Sequence, residues 1–250
     1  MTQYPLLPEE KCFAKTHHAQ GKTYLETYRS HVDCAKAYSD LVWSRFSLGT
    51  AQYLGEMVQA HDLGKRAEPF QAALKTGKRQ PIRHETLSFL KWLEGCEEVE
   101  DLDGPRALAI LAHHVTLLDK EQAAIIERHM ISQPSFADML AKWNQLRGTP
   151  WIGRMDSLLL RTLPLVDYLR TVDALASYTS DAIFQRHMGG MPSDSLFAGR
   201  WPGDLAKELS CFNLSSSDME SRAITQGDTV SFDLVRPVKA KIEGVRWQSR

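Results

Sequence analysis

Cysteine is scarce in this chain, and none of it is paired in spacing. The four cysteines are Cys12, Cys34, Cys96 and Cys211, with no CxxC among them. That excludes a disulfide framework and a cysteine-type zinc site, and leaves packed, reduced thiols as the expectation. Charge of one sign is lacking too, since the formal net charge is -1, so no global basic field announces nucleic acid. Metal ions supply local positive charge, however, so nucleic acid stays open as a partner. No run reaches the ~18 apolar residues that a membrane-spanning helix needs, so no membrane association is expected. No apolar segment of signal-peptide type follows Met1, which makes the cytoplasm the expected compartment. There is no internal repeat and no low-complexity tract.

What is present is a helical pattern with enough apolar residues, 43%, for a sizeable core. Residues 1–20 read as irregular, with Pro5 and Pro8, and residues 23–46 as helical. Leu54, Met57, Val58 and His61 fall at i, i+3, i+4 and i+7, one face of a helix that Gly64 can end. Residues 66–81 are polar and basic, broken by Gly77 and Pro81. Helices are predicted over 82–94, from Pro105 onward, over 119–131 and 134–147, and over a long stretch at 156–180. The acidic stretch 97–103 reads as a loop. After His187 the character changes to loop, and 225–250 alternates like strand (Val230, Phe232, Leu234). The expectation is an all-α helical bundle over 1–187, with a short C-terminal segment, 188–250, that contains β structure.

Chemistry concentrates in histidine and aspartate. His61 and Asp62 are adjacent, offering an imidazole and a carboxylate to one cation. His31, His84, His113, His114 and Asp173 lie on other predicted helices or their ends. Neutral imidazoles with carboxylates suit Mn, Fe, Co, Ni or Zn. Two carboxylates and five imidazoles exceed the needs of one ion. Two ions sharing Asp62 would use them all, acidify a water and neutralise charge on phosphoryl oxygens. Each residue alone has a plainer reading. A lone histidine on an apolar face is usually a core residue, and His129 and His187 are left in that class. His17-His18 lies in the irregular N-terminus and is weak. Asp173 sits among Leu169, Val172 and Ala176, where a buried carboxylate needs a partner. Lys65 can be an ordinary helix-end cation or a phosphate contact. Ser177, one turn beyond Asp173, is a packing residue or an outer contributor to the site.

The order His31, His61-Asp62, Asp173 resembles the H…HD…D pattern of the HD superfamily of metal-dependent phosphohydrolases. The longer motifs are similar to the CRISPR-associated Cas3 HD nuclease. They are His61-Asp62-Leu63-Gly64-Lys65 with Phe70-Gln71, Arg83-His84-Glu85 before Ser88, Ala112-His113-His114, and Val172-Asp173-Ala174 with Ser177. The resemblance covers about residues 17–180. It implies an HD-domain helical bundle at 1–187 that holds two divalent metal ions (Mn, Fe, Co, Ni, Mg or Zn). One would be held by His31, His61, Asp62 and Asp173, the other by Asp62, His84, His113 and His114. It further implies catalytic roles for Asp62 and Lys65 and cleavage of single-stranded DNA in CRISPR interference. These 250 residues contain no P-loop and no DEAD-type box. They therefore resemble the stand-alone form of the nuclease, Cas3 double-prime, or an excised HD domain. A separate Cas3-type helicase and a Cascade-type complex are the implied partners, with 188–250 as the segment for partner contact. Basic residues at 75–83, Arg154, Arg161 and Arg170 are candidates to line the strand. The competing reading is an HD-type phosphodiesterase or nucleotidase acting on a small nucleotide. The absence of a Gly-Tyr-Pro signature after His114 argues against the cyclic-dinucleotide group.

Overall fold

A computed structural model describes residues 4–19, 21–78, 82–96, 103–114, 124, 126–128, 141–142, 157–187, 219–226 and 229–237. Among these, helices dominate, as the apolar periodicity required. The chain opens with strands β1 (Phe13–Ala19) and β2 (Lys22–Thr27). Helices α1 (Tyr28–Phe46), α2 (Ala51–Ala60), α3 (Glu68–Thr76), α4 (His84–Gly95) and α5 (Gly104–Ala112) follow. A long helix, α6 (Ser157–His187), comes next, then strands β3 (Met219–Gln226) and β4 (Thr229–Pro237).

Helix starts are set by short polar side chains that take up otherwise unpaired amides. Thr27 Oγ1 accepts from Ser30 N at 3.3 Å, Thr50 Oγ1 from Tyr53 N at 3.1 Å, and Asp103 Oδ1 from Arg106 N at 3.1 Å. Gly77, at φ 65°, ends α3 in the left-handed conformation that glycine adopts without strain. The core is helix on helix. Tyr38 and Val42 of α1, Leu54 and Met57 of α2, Phe89 and Leu93 of α4, and Leu169 and Val172 of α6 close around α5. Every residue from Ala107 to Ala112 is at most 2% exposed, so α5 is buried on all sides rather than along one stripe.

One expectation fails at the N-terminal side. Residues 13–27 are not irregular chain running into a helix but an antiparallel hairpin, with His17 opposite Tyr24 and His18 opposite Thr23. Along β2 the side chains alternate, Tyr24 and Glu26 inward, which is the period of a strand and not of a helix. Within the polar and basic stretch 66–81, Phe70 and Ala73 bury one face of α3. At the C-terminal side the expected β segment is a hairpin, Gln226 opposite Thr229, lying somewhat earlier than the alternation suggested. It does not stand apart. Strand β4 runs parallel to β2, Leu25 opposite Thr229 and Glu26 opposite Val230, which makes one sheet in the order β1-β2-β4-β3. Most of the expected helices 119–131 and 134–147 falls outside the described residues, as do residues 97–102 of the acidic stretch and His129.

Candidate metal centre

Six structural elements bring the histidines and aspartates together. His31 projects from the first turns of α1. His61 caps the C-terminus of α2, its amide donating to Met57 O at 3.0 Å. Asp62 follows and opens a single 3-10 turn, Leu63–Arg66, which carries Lys65. His84 is the first residue of α4, His113 and His114 leave the end of α5, and Asp173 comes from the middle of α6. His31, His61 and Asp62 are 0% exposed, and Asp173 is 5% exposed.

The seven residues fall into two sets, His31-His61-Asp62-Asp173 and His84-His113-His114, with ligand atoms of each set within 4.8 Å of one another. Asp62 faces both. Its Oδ2 lies 3.1 Å from His31 Nε2 and 3.3 Å from His61 Nε2. Its Oδ1 lies 3.3 Å from His84 Nε2 and 4.0 Å from His113 Nε2. Asp173 behaves alike, with Oδ1 3.1 Å from His31 Nε2 and Oδ2 3.5 Å from His114 Nε2. His113 and His114, adjacent residues whose directions differ by about 100° on an ideal helix, nonetheless both reach the site from the C-terminal end of α5. The two rings stand 4.2 Å apart, on the same set.

Tautomers follow from the hydrogen bonds. His61 Nδ1 lies 2.5 Å from Val58 O, and His113 Nδ1 lies 2.6 Å from Ile110 O. A carbonyl only accepts, so both Nδ1 atoms carry a proton, and Nε2 is the atom of each ring that can offer a lone pair to a cation. Those Nε2 atoms, His84 Nε2 and Asp62 Oδ1 are all buried without a hydrogen-bond partner. Convergent lone pairs with no donor between them are costly unless a cation takes them. The donor set therefore fits a divalent metal, and these buried clusters can hold one.

Charge is distributed unevenly between the sets. Burial would raise the Asp62 carboxyl, but His61, Lys65, His31 and His84 hold it well below the usual carboxylate range. Asp173 is lowered likewise, against burial, by His31, His61 and Lys65. Burial and Lys65 oppose protonation of His31, yet Asp173, Asp62 and Glu26 push it up to about 10. Lys65 Nζ, 7% exposed as a residue, sits 2.7 Å from Asp62 Oδ2. In the metal-free protein, an imidazolium and an ammonium thus neutralise the carboxylates of the deeper set. In the second set, His113 and His114 are held neutral. Burial first, then His114, His61 and His84, press His113 well down, and burial with His84 and Lys65 brings His114 down to about 4.

Other sequence candidates land differently. Ser177 is half-buried on α6, and its carbonyl accepts from Lys15 Nζ at 2.9 Å. Arg170 donates to His113 O at 2.9 Å and Ala112 O at 3.1 Å, capping α5. Lys75, Lys78, Arg83 and Arg161 are exposed, and Arg154 lies outside the described residues. Two carboxylates that the sequence reading passed over stand behind the ligands. Glu26 Oε1 is 3.4 Å from His31 Nδ1, and Glu85 Oε2 is 3.3 Å from His84 Nδ1. The signal for Glu26 was Gly21 beside the Thr- and Tyr-rich run 22–27, a hairpin pattern. Glu85 resembled an ordinary acid in the first turn of a helix, and only its 0% exposure sets it apart. Two further contacts fix the frame. Gly64 N donates to Ser88 Oγ at 2.8 Å, and Gln71 Nε2 donates to Lys65 O at 2.6 Å and Phe13 O at 2.8 Å.

Set against known proteins, the chain matches no family model, no curated protein and no solved structure. Among the described residues, no helix is long and apolar enough to cross a membrane.

Proposed function

We propose that this chain is a metal-dependent nuclease that hydrolyses phosphodiester bonds of single-stranded DNA, working in CRISPR interference beside a separate helicase. The observation that carries the reading is the two-sided Asp62, one oxygen toward His31 and His61 and the other toward His84 and His113. It agrees with the motif order that resembles HD phosphohydrolases. His31, His61, Asp62 and Asp173 would hold one divalent cation, and Asp62 with His84, His113 and His114 a second.

Bound there, the cations would supply Lewis acidity and neutralise the charge that gathers on a phosphodiester under attack. The chain's own residues do the positioning. Val58 O and Ile110 O hold the rings of His61 and His113 with Nε2 forward. Lys65 balances the Asp62 carboxylate. Solvent reaches the centre from the second set, where the His84 side chain keeps 13% exposure and that of His114 keeps 32%. Exposed Lys75, Lys78 and Arg83 lie near the start of α4 in the chain and suit backbone contacts to a strand without base readout. Hydrolysis adds water across one P–O bond and leaves a phosphomonoester and a hydroxyl.

The test is cutting of end-labelled single-stranded DNA by the purified protein with Mn²⁺, Co²⁺, Ni²⁺ or Mg²⁺, with Asp62→Ala as control. Metal-dependent cutting lost in the variant is the expected result. If the metal-loaded protein leaves DNA intact but hydrolyses bis-p-nitrophenyl phosphate, the substrate is a small phosphodiester instead. If it hydrolyses neither, the reading fails.

A further inference from the structure

Glu26 belongs to neither His/Asp set and no part of the proposed chemistry uses it, yet it is buried to 1% exposure beside them. Its Oε1 stands 3.4 Å from Nδ1 of His31, the ring nitrogen that points away from Asp62 and Asp173. Its Oε2 accepts from Ser180 Oγ at 2.9 Å and lies 3.3 Å from His17 Nε2 and 3.8 Å from Lys15 Nζ. Strand β1 and helix α6 therefore both grip it. A carboxylate this deep is expensive to keep, and removing it would be simpler than pairing it three ways. Burial favours its protonated form, but Lys15, His17 and His31 hold the carboxyl well below its ordinary range.

The other buried rings show what is required. His61 and His113 each lean Nδ1 on a carbonyl one turn back in their own helix. A ligating imidazole needs such a partner, which fixes ring and tautomer; an anionic one also makes the ligand more basic. At His31 the group that faces Nδ1 is a full carboxylate supplied by the sheet, 3.4 Å away and within ion-pair reach though outside hydrogen-bond geometry. We propose that Glu26 is a positioning residue for the deeper metal set: it holds the Nδ1 proton of His31, locks the ring, and leaves Nε2 to the cation. The proposal rests on the metal-binding reading above.

The experiment is Co²⁺ titration, followed by visible absorption and calorimetry, of the whole chain carrying His113→Ala, which leaves the deeper set intact. Adding Glu26→Gln, close in shape but uncharged, is expected to weaken Co²⁺ there by about ten- to a hundredfold. Ser180→Ala, which removes one of the contacts to Glu26 Oε2 and keeps the charge, is expected to weaken it by only a few fold. Nitrogen-15 NMR of the Zn²⁺-loaded wild-type protein provides a readout that needs no variant: His31 should carry its proton on Nδ1. Failure of the wild-type protein to bind any divalent cation overturns the metal reading itself. Normal binding by wild type with affinity unchanged in Glu26→Gln overturns only the role of Glu26. If Glu26→Gln does not fold, a His31 proton on Nε2 in the loaded wild-type protein overturns it equally.

Discussion

Gly64 joins the turn that carries Asp62 and Lys65 to the helix that carries His84. Its substitution by alanine tests whether the centre depends on that contact. A Cβ built at Gly64 would stand 2.0 Å from His84 O, 2.7 Å from Leu87 Cβ and 2.8 Å from Ser88 N. Ordinary contact begins near 3.4 Å, so the shortfall against the His84 carbonyl is roughly 1.4 Å. Two of the three obstacles are backbone atoms, which cannot rotate aside. The turn and the N-terminus of α4 must therefore separate. That breaks the bond from Gly64 N to Ser88 Oγ and draws His84 Nε2 away from Asp62 Oδ1, now 3.3 Å apart. Overpacking of this kind costs about 1–3 kcal/mol and more when backbone obstructs. A displacement near 1 Å at a reacting centre costs about a hundredfold in rate. Gly64→Ala should thus melt several degrees lower, lose metal from the His84-His113-His114 set first, and cut DNA about a hundredfold more slowly. Melting, metal analysis and the labelled-strand assay read these three quantities. A variant with wild-type melting temperature and wild-type metal content would refute the close approach and the reasoning built on it.

Three further outcomes are expected. Lys65→Met removes the cation 2.7 Å from Asp62 Oδ2, so the metal-free protein should lose about 3–5 kcal/mol, as when a buried pair is broken. Added Mn²⁺ should then raise its melting temperature by more than it raises that of wild type; an equal rise would show that Lys65 does not stand in for metal charge. His84→Ala should empty its own set while the His31-containing set keeps its ion, as read by metal analysis at limiting Mn²⁺, and equal loss from both would contradict the division. EDTA-treated protein should lose stability as pH falls from 6.5 toward 4, because His113 and His114, held below the ordinary imidazole range when folded, gain protons more readily in the unfolded chain. The His114 share is reduced by its partial exposure. Over that window the stabilising contribution of His31, raised to about 10, is already complete; it is lost only as pH rises through that value. A flat melting profile between pH 6.5 and 5 would contradict the buried neutral state of the second set.

The helices and the residues that converge were legible because each carried a local signal. Leu54, Met57 and Val58 mark the buried face of α2, and His61-Asp62 follow at its end. Asp173 was conspicuous as a charge among apolar neighbours on α6. What escaped was whatever depends on partners distant in sequence. Glu26 lies 154 residues from Ser180, whose hydroxyl fixes it, and nothing near Glu26 in sequence announces that contact. Strand β1 was lost in the irregular stretch 1–20, and β2 was absorbed into the helix that follows, because Tyr24, Leu25 and Tyr28 suit either period over so short a run. Helix α3 was hidden by Gly77 and Pro81, which punctuate its exit and not its body. The pairing of β2 with β4 has no local trace at all.

That last pairing bears on the order in which the protein is made. Leu25 and Glu26 leave the ribosome roughly 200 residues before Thr229 and Val230, the residues that lie beside them in the sheet. His31 waits for Asp173, 142 positions later. Contacts so distant are the slow ones to form. During synthesis, therefore, the emerging chain carries half a sheet and half a metal centre. The candidate ligands are all present once Asp173 has emerged, but the sheet that sets Glu26 behind His31 closes only with Thr229 and Val230, so a chain stalled between those points would carry its histidines and aspartates without the strand that completes their support.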